Sequence, residues 1–122
     1  MPIVDVELVV DAGQILAAGL AARLADAVGT AFGTPVGRTW VRLRALPTSQ
    51  YAESGGGPHG GIRPVFVTVL KSVRPEGERL RDETRLLTEA IAAVCDRPAE
   101  NVHVLWLPDA KGRMAFGGTL AE

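Results

Sequence analysis

The chain has 122 residues, enough for one hydrophobic core, and at that size burial against a second copy would add stability. Apolar residues make up 47% and charged residues 22%, a globular balance that excludes a disordered chain. Thirteen Lys and Arg against fourteen Asp and Glu leave a net charge of -1 with only 5% aromatics, so no field or stacking platform draws it to nucleic acid or to acidic lipid.

Cys95 is the only cysteine, which excludes an internal disulfide and a cysteine-based zinc cluster and suits a reducing compartment. Its place in an apolar helical stripe predicts a buried, inert thiol. No stretch reaches the ~18 apolar residues of a membrane span, and the start lacks a basic region followed by an apolar run. The expectation is a cytoplasmic chain with no membrane partner.

In MPIVDVELVV, Val4, Val6, Leu8 and Val10 alternate with Asp5 and Glu7, which predicts a strand entered on Pro2. Asp11 and Gln14 have capping-box spacing, and Leu16, Leu20, Leu24, Ala27, Val28 and Ala31 recur at helical intervals, so a helix is expected up to Phe32. Gly33 and Pro35 stop it. Trp40 to Leu46 then predict a second strand, with Trp40, Arg42 and Arg44 on one face and Val41, Leu43 and Ala45 on the other.

From Pro47 to Gly61 the pattern breaks into SGGGPHGG, a loop or irregular hairpin in which His59 is a loop residue. This run precedes a strand instead of joining a strand to a helix, so it is not a phosphate-binding loop. Pro64 to Leu70, PVFVTVL, predicts a third strand. Pro75 and Glu76 open a second helix with Leu80, Leu87, Ile91, Val94 and Cys95 on one stripe, ended by Asp96, Arg97 and Pro98. Val102 to Leu107 predict the last long strand, with Trp106 in the core, and GRMAFGG a short glycine-bounded hairpin that could reach over a neighbour.

The halves resemble each other: PIVDVELVV matches PVFVTVLKS, TPVGRTWVRL matches RPAENVHVLW, and the helices fall in matching places. The reading is a single α+β domain built from a tandem β-α-β repeat. Repeat one covers about 2–50, the glycine-rich connection about 51–62 and repeat two about 63–122. Right-handed crossovers let two such units join into one four-stranded sheet with both helices on one face. The other face is left open, and oligomerisation is the economical cover.

Pro2 has a chemistry that no internal proline has. Removal of Met1 leaves a secondary amine that can take and return a proton, whereas Pro64, its counterpart in the second repeat, is acylated by Arg63 and has no basicity. An apolar surrounding and nearby cations both disfavour the protonated amine. A proton taken from carbon leaves an oxyanion, and the LKSVR stretch supplies cations for it in Lys71 and Arg74.

Met1-Pro2 at the head of a strand, the doubled β-α-β unit and the C-terminal AKGRMAFGG together resemble the tautomerase superfamily, over nearly the whole chain. That group includes 4-oxalocrotonate tautomerase, carboxymethyl-hydroxymuconate isomerase, cis-3-chloroacrylate dehalogenase, malonate semialdehyde decarboxylase and macrophage migration inhibitory factor. The resemblance implies a homotrimer that isomerises a small 2-keto or unsaturated carboxylate without cofactor or metal. In it Pro2 is the general base and acid at the floor of a pocket near the subunit boundary. It further implies Lys71, Arg74, Arg38 and Arg42 as cations for the substrate, Tyr51 and His103 as polar contacts, and Trp40, Met114 and Phe116 as the apolar wall.

The departures from the family pattern narrow this reading. Gly37 and Arg38 stand where the decarboxylase pattern has an Asp, and Ala115 stands near where the dehalogenase pattern has a glutamate. Ala12 and Gly13 replace the arginine that small members carry after the first strand, so a substrate carboxylate would rely on the second repeat's cations. Two alternatives stand beside the isomerase: a non-catalytic binding protein on the same fold, and a hydratase or decarboxylase of a small acid. His59 and His103, far apart and without cysteine partners, do not form a metal site.

Overall fold

The computed structural model describes residues 1–122. The first half contributes β1 (Ile3–Val10), α1 (Leu20–Phe32) and β2 (Trp40–Pro47). The second contributes β3 (Val65–Leu70), α2 (Gly77–Cys95) and β4 (Val102–Trp106). A two-stranded hairpin of β5 (Ala115–Phe116) and β6 (Thr119–Leu120) follows. The sheet order is β2-β1-β3-β4, with each half parallel within itself and the halves joined by antiparallel pairing of β1 with β3. This is the four-stranded α+β sheet that the repeat predicts.

Helix α1 begins later than its apolar spacing suggests. Asp11 and Gln14 do bond to each other, Asp11 N–H donating to Gln14 Oε1 at 3.3 Å and Gln14 N–H to the Asp11 carbonyl at 3.0 Å, but they close a turn. The helix waits for Leu20 because Gly13 and Gly19 take φ of 80° and 82°, which a continuing right-handed helix cannot hold. Ile15, 90% exposed, gives the intervening segment little packing to offset that loss. At its other end Gly33 is left-handed and donates to Gly29 and Thr30 carbonyls, and Pro35 prevents resumption. Asp96 and Pro98 end α2 in the same manner, the Arg97 N–H donating to the Ala92 carbonyl.

Alternation along the strands decides which face is dry. Val4, Val6, Leu8 and Val10 of β1 and Val65, Val67 and Val69 of β3 face the helices and meet Leu20, Leu24, Val28, Leu87 and Ile91. The β-branched run stiffens the strands, and the longer leucines fill the space between sheet and helices. Cys95 packs half-buried at the margin, and burial pushes its thiol above the ordinary cysteine range, keeping it in the unreactive thiol form. Trp106 lies against the core, its indole N–H donating to Thr84 Oγ1 at 2.9 Å. No helix is long and apolar enough to cross a membrane.

Leu87 is completely buried between α2 and the sheet. Leu87→Ala is expected to lower unfolding free energy by about 2–5 kcal/mol, read by urea denaturation, through lost apolar contact and a residual cavity.

Candidate active site at the Pro2 end of the sheet

Pro2 is buried immediately before β1, and its carbonyl accepts the Trp40 N–H at 3.0 Å, which pins the entry of β2 beside it. A proline fits this position because the missing N–H is not required by the ladder. Ile3 pairs with Leu70, so the next positions outward are Pro2 and Lys71. Val4 and Val69 both enter the helix-side core, so the alternation puts Pro2 and Lys71 on that same side.

The C-terminal segment is sewn to this end of the sheet. Leu107, Ala110 and Lys111 donate backbone N–H groups to the carbonyls of Val69, Lys71 and Ser72, and Asp109 Oδ1 accepts the Arg74 N–H at 2.7 Å. The hairpin then brings Phe116 edge-on to Trp40, ring centroids 5.6 Å apart, with Met114 half-buried in its stem. Trp40 and Phe116 thus meet at the Pro2 end of the sheet, on the open face that Trp40 shares with Arg42.

Lys71 is not a free cation. Its ammonium lies 2.8 Å from Glu83 Oε1 and 3.9 Å above the Phe32 ring, an environment in which charge is neutralised and partly desolvated. Arg38 and Arg74 are exposed and form no ion pair. Arg38 precedes β2 and Arg74 follows β3, so both stand at the Pro2 end. A cavity of about 480 Å³ opens beside Lys71, Arg74, Arg79 and Glu83; Pro2 does not line it.

Glu83 and Arg79 did not emerge from the motifs. The signal for Glu83 was available: it falls between Leu80 and Leu87 at helical spacing, a carboxylate in an apolar stripe, which burial tolerates only with a partner. The Lys71 ammonium is that partner.

The remaining residues lie elsewhere. Arg42 grips Asp5 through two hydrogen bonds of 2.5 and 2.8 Å on the sheet's open face, and that hydrogen bond and charge raise its pKa further. Tyr51 packs at a tilt against Phe66, which packs at a tilt against His103, each pair with centroids 5.6 Å apart. Phe66 pairs with Glu7 of β1, five residues from Pro2, so this aromatic row stands about 16 Å from Pro2 within one chain. No three His, Cys, Asp or Glu side chains are grouped as metal ligands would be.

The sheet order, the tandem halves and the C-terminal hairpin constitute the fold of the tautomerase superfamily. The chain is similar over its whole length to the macrophage migration inhibitory factor of Oncomelania hupensis, with a TM-score of 0.74 and 20% identity over 83% of that protein. It is similar to the Q0 fused 4-OT wild-type symmetric trimer (TM-score 0.72, 20% identity, 98% of this chain and 94% of that one). It is also similar to native fused 4-OT (TM-score 0.70, 25% identity, 96% and 95% covered). No protein-family model and no curated protein matches the sequence.

Tyr51 is the sole tyrosine, so its titration can be read directly. Its hydroxyl donates to Glu53 Oε2 at 2.6 Å, and that bond, then burial and the carboxylate's charge, raise its pKa above the ordinary tyrosine value. Ultraviolet titration is expected to show phenolate forming at higher pH than in a free tyrosine, and Glu53→Gln to move the midpoint down.

Proposed function

We propose that the chain is a cofactor-independent tautomerase of a small 2-keto or unsaturated carboxylic acid, with Pro2 as the base and acid after Met1 is removed. The observation that carries this reading is the placement of Pro2: buried, hydrogen-bonded at its carbonyl to the Trp40 backbone, and at the end of the sheet where Arg38 and Arg74 stand without ion pairs. Burial disfavours the protonated amine, which leaves a lone pair to accept a proton at neutral pH.

In the enol-to-keto direction the amine takes the enol O–H proton, the electron pair shifts to form C=O, and the carbon receives a proton from the resulting ammonium. Charge on the oxygen is greatest between those steps, so a cation placed there accelerates the reaction. Arg74 and Arg38, which are free of ion pairs, are the side chains for the carboxylate and oxyanion. Lys71, already neutralised by Glu83, lends little to either. Trp40, Phe116 and Met114 supply an apolar wall at this end of the sheet.

We further propose a homotrimer, in keeping with the symmetric trimer formed by one of its structural relatives. In that assembly the Tyr51, Phe66 and His103 row of one subunit would be offered to the Pro2 end of the next. The non-catalytic alternative draws on one observation: Lys71 and Arg42, two of the four cations, are already paired.

Intact-mass measurement of natively produced protein is expected to show loss of Met1; a retained methionine makes the Pro2 nitrogen an amide and overturns the mechanism. With Met1 removed, Pro2→Ala is expected to slow ketonisation of an arylpyruvate enol at least about a hundredfold, the lower end of general acid–base contributions. Arg74→Ala is expected to raise KM about tenfold or more with a smaller change in kcat, the size of a lost charged hydrogen bond. An unchanged rate in the proline variant would count against the assignment.

A further inference from the structure

The cavity beside the β3–α2 connection contains a carboxylate oxygen with no hydrogen-bond donor. Glu83 is only 8% exposed, and its Oε1 accepts from the Lys71 ammonium at 2.8 Å. Its Oε2 is buried and accepts no hydrogen bond. The neighbouring charge is Arg79, whose Nε lies 3.6 Å from Oε2, beyond hydrogen-bond range. The two cations offset the carboxylate's charge, but Oε2 itself lacks the hydrogen bond that would complete its solvation.

Arg79 is a cover that can move. Its side chain is 80% exposed and makes this one loose contact, whereas Lys71 is 14% exposed and closely bonded. Release of Arg79 therefore loses little and exposes Oε2 to the cavity. Lys71, Arg74 and Arg79 against Glu76 and Glu83 leave the wall with a net positive charge, and Val73 is its one hydrophobic side chain. Such a wall favours an anion that also carries a donor, and it offers little to an apolar acid.

We propose that this cavity binds a small hydroxylated carboxylate. Arg79 turns from Glu83 to the ligand's carboxylate, which Arg74 also grips, and the uncovered Glu83 Oε2 accepts a ligand hydroxyl. The site is separate from the tautomerase reading, because Pro2 does not line this cavity. Binding itself requires no turnover.

The test is calorimetric titration of the full chain with sodium gluconate, which carries both groups, and sodium hexanoate, which lacks the hydroxyls. Gluconate is expected to bind at least about tenfold more tightly than hexanoate, the size of a hydrogen bond to a charged group. Arg79→Ala, at an exposed position, is expected to weaken gluconate about tenfold at an unchanged unfolding temperature. Glu83→Gln is expected to narrow the preference for gluconate over hexanoate.

Equal binding of the two acids, binding of neither at millimolar concentration, or an Arg79→Ala variant with native gluconate affinity would overturn the proposal. Ketonisation assays on the same protein separate the two readings. Gluconate binding without turnover removes the activity and leaves this site, and turnover with no discrimination between the acids does the reverse.

Discussion

The antiparallel seam between β1 and β3 is the constraint on which the rest of the structure depends. Each β-α-β half is a two-stranded parallel pair with one helix, too small to bury its own apolar face. Pairing Ile3 with Leu70 through Leu8 with Val65 joins the halves and stacks seven alternating apolar side chains under two helices. The same register sets Pro2 against Lys71. Core and site are thus consequences of one pairing, and a slip by one residue would turn both sets of side chains to the wrong face.

The seam also gives the sheet two comparable ends, and local chemistry makes them differ. At the Pro64 end the carbonyl of Pro64 accepts from Val9, Arg63 pairs with Asp11, and Arg97 donates to the Arg63 carbonyl. That end is closed by its own residues around an amide nitrogen. At the Pro2 end the cations Arg38 and Arg74 are left unpaired, and an aromatic pair covers the strand entry. The duplicated architecture has therefore kept one end for its framework and left the other chemically available.

Charge pairing distinguishes side chains that share a residue type. Arg42 stands opposite Asp5 across a parallel ladder, so the carboxylate fixes it on the open face. Lys71 alternates to the helix side and meets Glu83, whose burial is tolerable because the ammonium is there. Arg74 lies past the end of β3, where no carboxylate side chain answers its guanidinium. Being beyond the ladder is what keeps it free.

Much of this was legible in the chain. Period-two alternation located all four sheet strands, since a half-buried strand must alternate, and Gly33, Pro35, Asp96 and Pro98 located the helix ends, where a left-handed residue is followed by a proline that cannot continue the helix. The repeat implied the sheet. The start of α1 was not legible, because Leu16 and Leu20 fit a helix whose intervening Gly19 does not. The partners of the cations were not legible either: Lys71 and Glu83, and Asp5 and Arg42, are distant in sequence. By itself the sequence determined the elements, the duplication and the chemical identity of Pro2, all local properties of residues and their spacing. Which cation stays free, which end of the sheet is open and which buried oxygen lacks a donor were decided only when the β1–β3 register brought distant residues together.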